Sequence, residues 1–149
     1  MSIFLLVACL CSLSEEVESL MDDYGFVGYS SQWSRGLYLH MNEPYTFLIY
    51  PGINLEGVLC GVGGDAVFDL QMELHGGGLN IIDTEPDDLP VLRFVTGSGS
   101  VAYSVTVTAV DMLYGVTADS VYVFFAMRPV VVKIENSVPG EPDLAITGE

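Results

Sequence analysis

The chain has 149 residues, 20 acidic and 4 basic, for a formal net charge of −16; half of it is apolar, with 16 glycines and 3 cysteines. That charge excludes nucleic acid and an anionic membrane surface as partners, because both need clustered Lys and Arg. The apolar and aromatic content excludes disorder, and the length suits one domain, or one domain plus a leader, burying roughly 70% of its unfolded surface.

Residues 3–13, IFLLVACLCSL, form an eleven-residue apolar run. It is about half of the ~20 residues that span a bilayer, so no transmembrane helix is expected, and it falls in the roughly 7–15 residues of a secretory signal core. Ser12, Leu13 and Ser14 put small residues at the −3 and −1 positions of a cleavage before Glu15, so residues 1–14 are predicted to be a signal peptide. No Lys or Arg precedes the run, and a buried N-terminal strand or helix is the structural alternative. Leu6-Val7-Ala8-Cys9 is also similar to a bacterial lipobox, which would acylate Cys9. With Cys9 and Cys11 inside the run, Cys60 is the one cysteine of the body, which excludes an internal disulfide framework there. Flanked by Leu59 and Gly61 with no basic neighbour, it is expected to be a buried small hydrophobe.

Residues 15–23 carry five acids among helix-tolerant residues, a short helix or a solvated acidic spacer. From Tyr24 the pattern has period two. Residues 36–40 and 45–50 are strand candidates, and 55–60 follows after Pro51-Gly52. In residues 67–74, Phe68, Leu70, Met72 and Leu74 fall on one face and Val67, Asp69, Gln71 and Glu73 on the other, the alternation of a sheet with one wet face. A triple glycine at 76–78 predicts a tight hairpin into 79–82, and 91–95 forms the next strand. In residues 102–109, Tyr103, Val105 and Val107 point inward and Ser104, Thr106 and Thr108 outward. Residues 111–120 form the longest connection of the second half, with room for one helical turn. Residues 121–127 and 130–134 are strands separated by Pro129, a bend or a strand start. The segments 45–50, 55–60, 91–95, 121–127 and 130–134 are expected to be apolar on both faces. The predicted fold is therefore all-β: an antiparallel β-sandwich, jelly-roll-like, of about eight to ten strands over residues 24–134, followed by a flexible acidic tail over 135–149.

From Tyr45 to Phe125 the sequence resembles the bacterial pre-peptidase C-terminal domain, a β-sandwich appended to exported proteins. The correspondence rests on Tyr45-Thr46-Phe47-Leu48 with Pro51-Gly52, and on Leu55-Glu56-Gly57-Val58-Leu59. Asp69-Leu70-Gln71-Met72 matches the second half of a D-x-D-L-x-L strand, with Val67 in place of the first Asp. Gly76 to Gly78, Asp83, Val91-Leu92-Arg93-Phe94 and, after Gly99, Tyr103-Ser104-Val105-Thr106-Val107 complete it. The resemblance implies a non-catalytic module linked to secretion, adhesion or inter-domain packing.

The densest charge cluster is the loop of residues 83–88. Asp83, Glu85, Asp87 and Asp88, joined by Asp65 and Asp69, are candidate calcium ligands, since calcium takes about six to eight oxygens. The alternative is an exposed acidic loop without a cation. His40 and His75 lack metal-ligand spacing, no G-x-S-x-G elbow is present, and Gly61-Val62-Gly63-Gly64 lacks the Lys of a phosphate loop. Trp33, among Ser31, Gln32, Ser34 and Arg35, is the candidate exposed anchor for a carbohydrate or protein ligand; core packing of the aromatics is the alternative. The expected function is a non-catalytic, exported module for adhesion, binding or assembly with a protein or glycan at the cell surface. Its location would be extracellular or periplasmic, or the outer surface if Cys9 is lipidated. A calcium- or carbohydrate-binding module is the alternative, and a small secreted hydrolase a more distant one.

Overall fold

The computed structural model describes residues 31–130, with side chains from residue 34 onward. The expectations for the signal peptide, Cys9, the acidic spacer, the strand of 130–134 beyond Val130 and the tail lie outside the described residues. Eight strands follow in order: β1 (Ser31–His40), β2 (Tyr45–Ile49), β3 (Leu55–Gly63), β4 (Val67–Gly76), β5 (Leu79–Asp83), β6 (Val91–Val95), β7 (Tyr103–Met112) and β8 (Ala118–Pro129).

The strands pair like one long hairpin rolled up. β4 pairs with β5, β3 with β6, β2 with β7 and β1 with β8, all antiparallel. Successive pairs alternate between two sheets, and the β3–β8 and β4–β7 pairings close each of them. The resulting orders, β1-β8-β3-β6 and β2-β7-β4-β5, make an antiparallel β-sandwich, as the alternation predicted, and its connectivity is that of a jelly roll. Among the described residues no helix is long and apolar enough to cross a membrane.

Between the sheets lies one core. Tyr103, Val105, Val107 and Ala109 of β7 face Leu59 of β3 and Leu92 and Phe94 of β6, all buried. Phe94 stacks on Phe125 with centroids 5.9 Å apart, and the Tyr103 ring lies 6.0 Å from Phe94. On β3 the inner positions around Leu59 are glycines. A Cβ on Gly57 would stand 2.6 Å from Phe94, and one on Gly61 2.8 Å from Met72. The facing side chains occupy that space instead. Gly77 and Gly78 form the two-residue turn of the β4–β5 hairpin with φ of 56° and 84°, the positive pair that a type I′ turn demands.

Several strand expectations are corrected. β2 and β6 are not apolar on both faces: each is an outer strand of its sheet and alternates buried with exposed positions. β3 and the centre of β8 are buried on both faces. Phe68 is 51% exposed and Val67 buried, the reverse of the predicted faces. Two register shifts cause this: β4 carries Phe68 as an extra residue between Val67 and Asp69, and β7 restores the register with Val110. The connection after β7 is only residues 113–117, a turn closed by the Val116 N–H donating to the Leu113 carbonyl, with no helical turn. Pro129 ends β8 rather than starting a strand.

Candidate functional site

The paired bulges set two carboxylates against each other, because Asp69 lies directly opposite Asp111 across the β4–β7 ladder. Burial, and then the negative charges of Asp111, Asp87 and Asp83, raise the Asp69 carboxyl above its ordinary 3.8. Three of the six predicted calcium ligands, Asp69, Asp83 and Asp87, thus share one electrostatic field, and Asp111 joins them. Asp65, Glu85 and Asp88 are not among the charges that shift Asp69: Asp65 sits exposed on the β3–β4 turn and Glu85 is exposed on the loop. Sequence reasoning passed over Asp111. Its signal was a charge at a position where the alternation from Tyr103 calls for an apolar residue.

The loop carboxylates also hold the loop in shape. Asp83 accepts hydrogen bonds from the Glu85 N–H (3.0 Å) and the Val91 N–H (2.8 Å), and Asp87 accepts one from the Leu89 N–H (2.9 Å). The loop backbone is then stitched to the sheets: the Gly63 N–H donates to the Asp88 carbonyl and the Leu70 N–H to the Asp87 carbonyl. Among the described residues no group of three or more His, Cys, Asp or Glu side chains stands close enough to hold a metal ion. A second unforeseen carboxylate, Asp119, accepts from the Ala66 and Ser120 N–H groups and fixes the β3–β4 turn against the start of β8.

Two clefts lined by described residues open on the sandwich. One, of about 310 Å³, lies between β5 and β6 and is lined by Ile81, Ile82, Asp83, Glu85 and Arg93, among others. The other, of about 290 Å³, lies between the Gly77 turn and the Gly97-Ser98-Gly99 loop over Tyr103. Large apolar side chains project from several edges: Tyr38 (69% exposed), Tyr50 (73%), Phe68 and Tyr114, which is fully exposed. Trp33 lies on β1 opposite Phe125; its side chain is outside the described part.

The remaining candidates have structural partners. His75, next to last in β4, lies 3.1 Å from Glu73, and His40, last in β1, packs edge-on against Tyr38. Cys60 is a fully buried thiol that burial pushes up to about 12, so it stays protonated at neutral pH. Arg35 bridges the two sheets at one edge, donating to the Tyr45 hydroxyl at 2.5 Å with its guanidinium 5.2 Å from the Tyr45 ring and 5.4 Å from that of Phe47. No family model matches the chain, and no curated protein matches it.

Proposed function

We propose that the chain is a non-catalytic jelly-roll module, exported to the cell surface or beyond it, that binds or assembles with a protein or glycan through exposed aromatic side chains. The observation that carries this reading is the exposure of Tyr38, Tyr50, Phe68 and Tyr114 on the surface of the sandwich. Aromatic rings with a polar tip give contact area at low entropic cost and are enriched in interface cores. The signal-like residues 1–14 and the resemblance to the pre-peptidase C-terminal domain support export. Fractionation of producing cells tests the reading, with N-terminal sequencing and binding of the purified chain to cell envelopes and to a glycan array. The expected result is an extracytoplasmic chain lacking residues 1–14, whose binding falls when Tyr50 and Tyr114 are both changed to Ala. Cytoplasmic retention with residues 1–14 intact would overturn it, as would turnover of a peptide, ester or glycoside.

A second reading, a calcium site at the acidic corner, rests on Asp69 standing directly opposite Asp111, where the two charges repel; calcium would have to draw the carboxylates closer together than they stand here. A bound cation would relieve that repulsion. Millimolar calcium should raise the melting temperature of the wild type and not of Asp69→Asn; an unchanged wild type removes this reading.

A further inference from the structure

The sheet β1-β8-β3-β6 has two apolar faces, and only one of them closes the sandwich core. Its outer face carries a second cluster: Val58, Cys60 and Val62 of β3 with Phe124 and Ala126 of β8. Val58, Cys60, Val62 and Ala126 are 0% exposed. The cluster draws its members from β3, β6 and β8 of this sheet alone, so among the described residues no strand lies across it. On β3 most of the apolar bulk faces this side, since Gly57, Gly61 and Gly63 flank Leu59 on the inner face. A bare sheet face leaves valine side chains in water, so full burial means that something covers the stripe.

We propose that residues 15–24 of this chain dock on that outer face. Continuity favours this segment. The described chain begins at Ser31, which pairs with Met127 in this same sheet. The six residues 25–30 reach at most about 20 Å, enough to cross the two strand spacings of about 4.8 Å that separate β1 from β3. Pattern favours it as well: Val17, Leu20, Met21 and Tyr24 are spaced i, i+3, i+4, i+7, one face of a helix. Ten helical residues are about 15 Å long, close to the roughly 13 Å from Val58 to Val62 along a strand.

Charge and width separate this occupant from the others. Arg93 and Arg128 bracket Glu56 at one end of the stripe, at 3.3 and 2.6 Å. They are two of the chain's four basic residues, while residues 15–23 carry five acids. On β1 the outward Ser34, Gly36, Tyr38 and His40 are exposed, so the cover is narrow and has a wet side. A segment apolar on one face fits that cover. The run of residues 3–13, apolar all round, does not.

Cys60 lies in the middle of the stripe and supplies the test. In the full chain with Cys9→Ser and Cys11→Ser, single cysteines are placed as Val17→Cys, Leu20→Cys and Met21→Cys, with Ser19→Cys and Val132→Cys as controls. Under mild oxidation, at least one of positions 17, 20 and 21 should close a disulfide with Cys60 within one chain, and neither control should. In native buffer Leu20→Asp should speed modification of Cys60 by roughly tenfold or more, as local opening exposes the thiol, whereas Ser19→Asp should not. The proposal is overturned if none of the three positions cross-links within the chain. It is overturned equally if Val132→Cys cross-links in their place, which would make the C-terminal segment the cover, or if the disulfides join two chains, which would make it a second copy.

Discussion

Tyr103 shows how much one side chain decides. Its ring is 0% exposed and packs on Phe94, yet its hydroxyl has no hydrogen-bond partner among the described residues. A buried hydroxyl without a partner costs about 1–3 kcal/mol, so Tyr103→Phe is expected to hold or raise stability by about 1 kcal/mol in urea unfolding. A loss of stability would show that the hydroxyl is bonded in solution. Gly77 lies over the same hydroxyl: a Cβ there would be 2.5 Å from the oxygen, at a φ of 56°. Gly77→Ala should therefore lower stability by about 1–2 kcal/mol through backbone strain and contact together. Tyr103→Phe removes the closest of these contacts and leaves the ring carbon at 2.9 Å, so the two substitutions should combine to somewhat less than the sum of their separate effects in a double-mutant cycle. The glycine triplet announced the hairpin in the sequence. The tyrosine beneath it did not announce itself, because that contact joins Tyr103 of β7 to Gly77, 26 residues earlier.

Between elements, the balance is set by two carboxylates with opposite shifts. Arg128, by hydrogen bond and charge, and then Arg93 hold the Glu56 carboxyl below its ordinary 4.5 against a smaller opposing effect of burial. This stabilises the junction of β3, β6 and β8 above pH 4.5, and the stabilisation is lost as pH falls through the native value. Glu56→Gln should cost about 0.5–1 kcal/mol at pH 7, and the difference from wild type should shrink in acid. Asp69 has the reverse sign. Its carboxyl is raised, so its ionisation opposes folding above the native value, and the penalty is gone below 3.8. Asp111→Asn should raise stability by roughly 0.2–1 kcal/mol at pH 7, the scale of like charges set opposite across strands, and the gain should vanish in acid. The alternation that made β4 and β7 legible in the sequence is also what hid this pair. Counted by twos from Leu70, Phe68 belongs inside and Asp69 outside; the compensating bulges at Phe68 and Val110 turn Phe68 out and leave Asp69 facing Asp111. Period two carries no mark of an inserted residue when a second insertion restores the register. In β3 the same reading worked, since Leu55 to Cys60 is apolar at both parities apart from Glu56 and Gly57, and the strand is buried on both faces.

At the scale of the molecule, strand content and turn spacing identified a sandwich, but strand order lay beyond them. The order follows from nested pairs closing outward from the Gly77-Gly78 turn to β1 with β8, and each pair joins residues farther apart in the chain than the last. What does carry over from composition to the whole fold is the charge. With 20 acids against 4 bases, most charge pairs within the fold repel. Favourable pairs exist among the described residues, such as those of Glu56 with Arg93 and Arg128, but four basic residues cannot offset 20 acids. Raising ionic strength from 0.01 M to 1 M contracts the screening length from about 30 Å to about 3 Å, which erases long-range repulsion and leaves contacts at 2.6 Å weakened but present. Compact states of high net charge are destabilised by that repulsion. The urea midpoint of the wild type should therefore rise with sodium chloride at pH 7. In Glu56→Gln it should rise further, because that variant has lost two of the attractions that salt would weaken. At pH 4, where many carboxylates are protonated, the salt dependence should flatten. A midpoint that falls with salt at pH 7 would mean that attraction at the few basic residues outweighs repulsion across the sandwich.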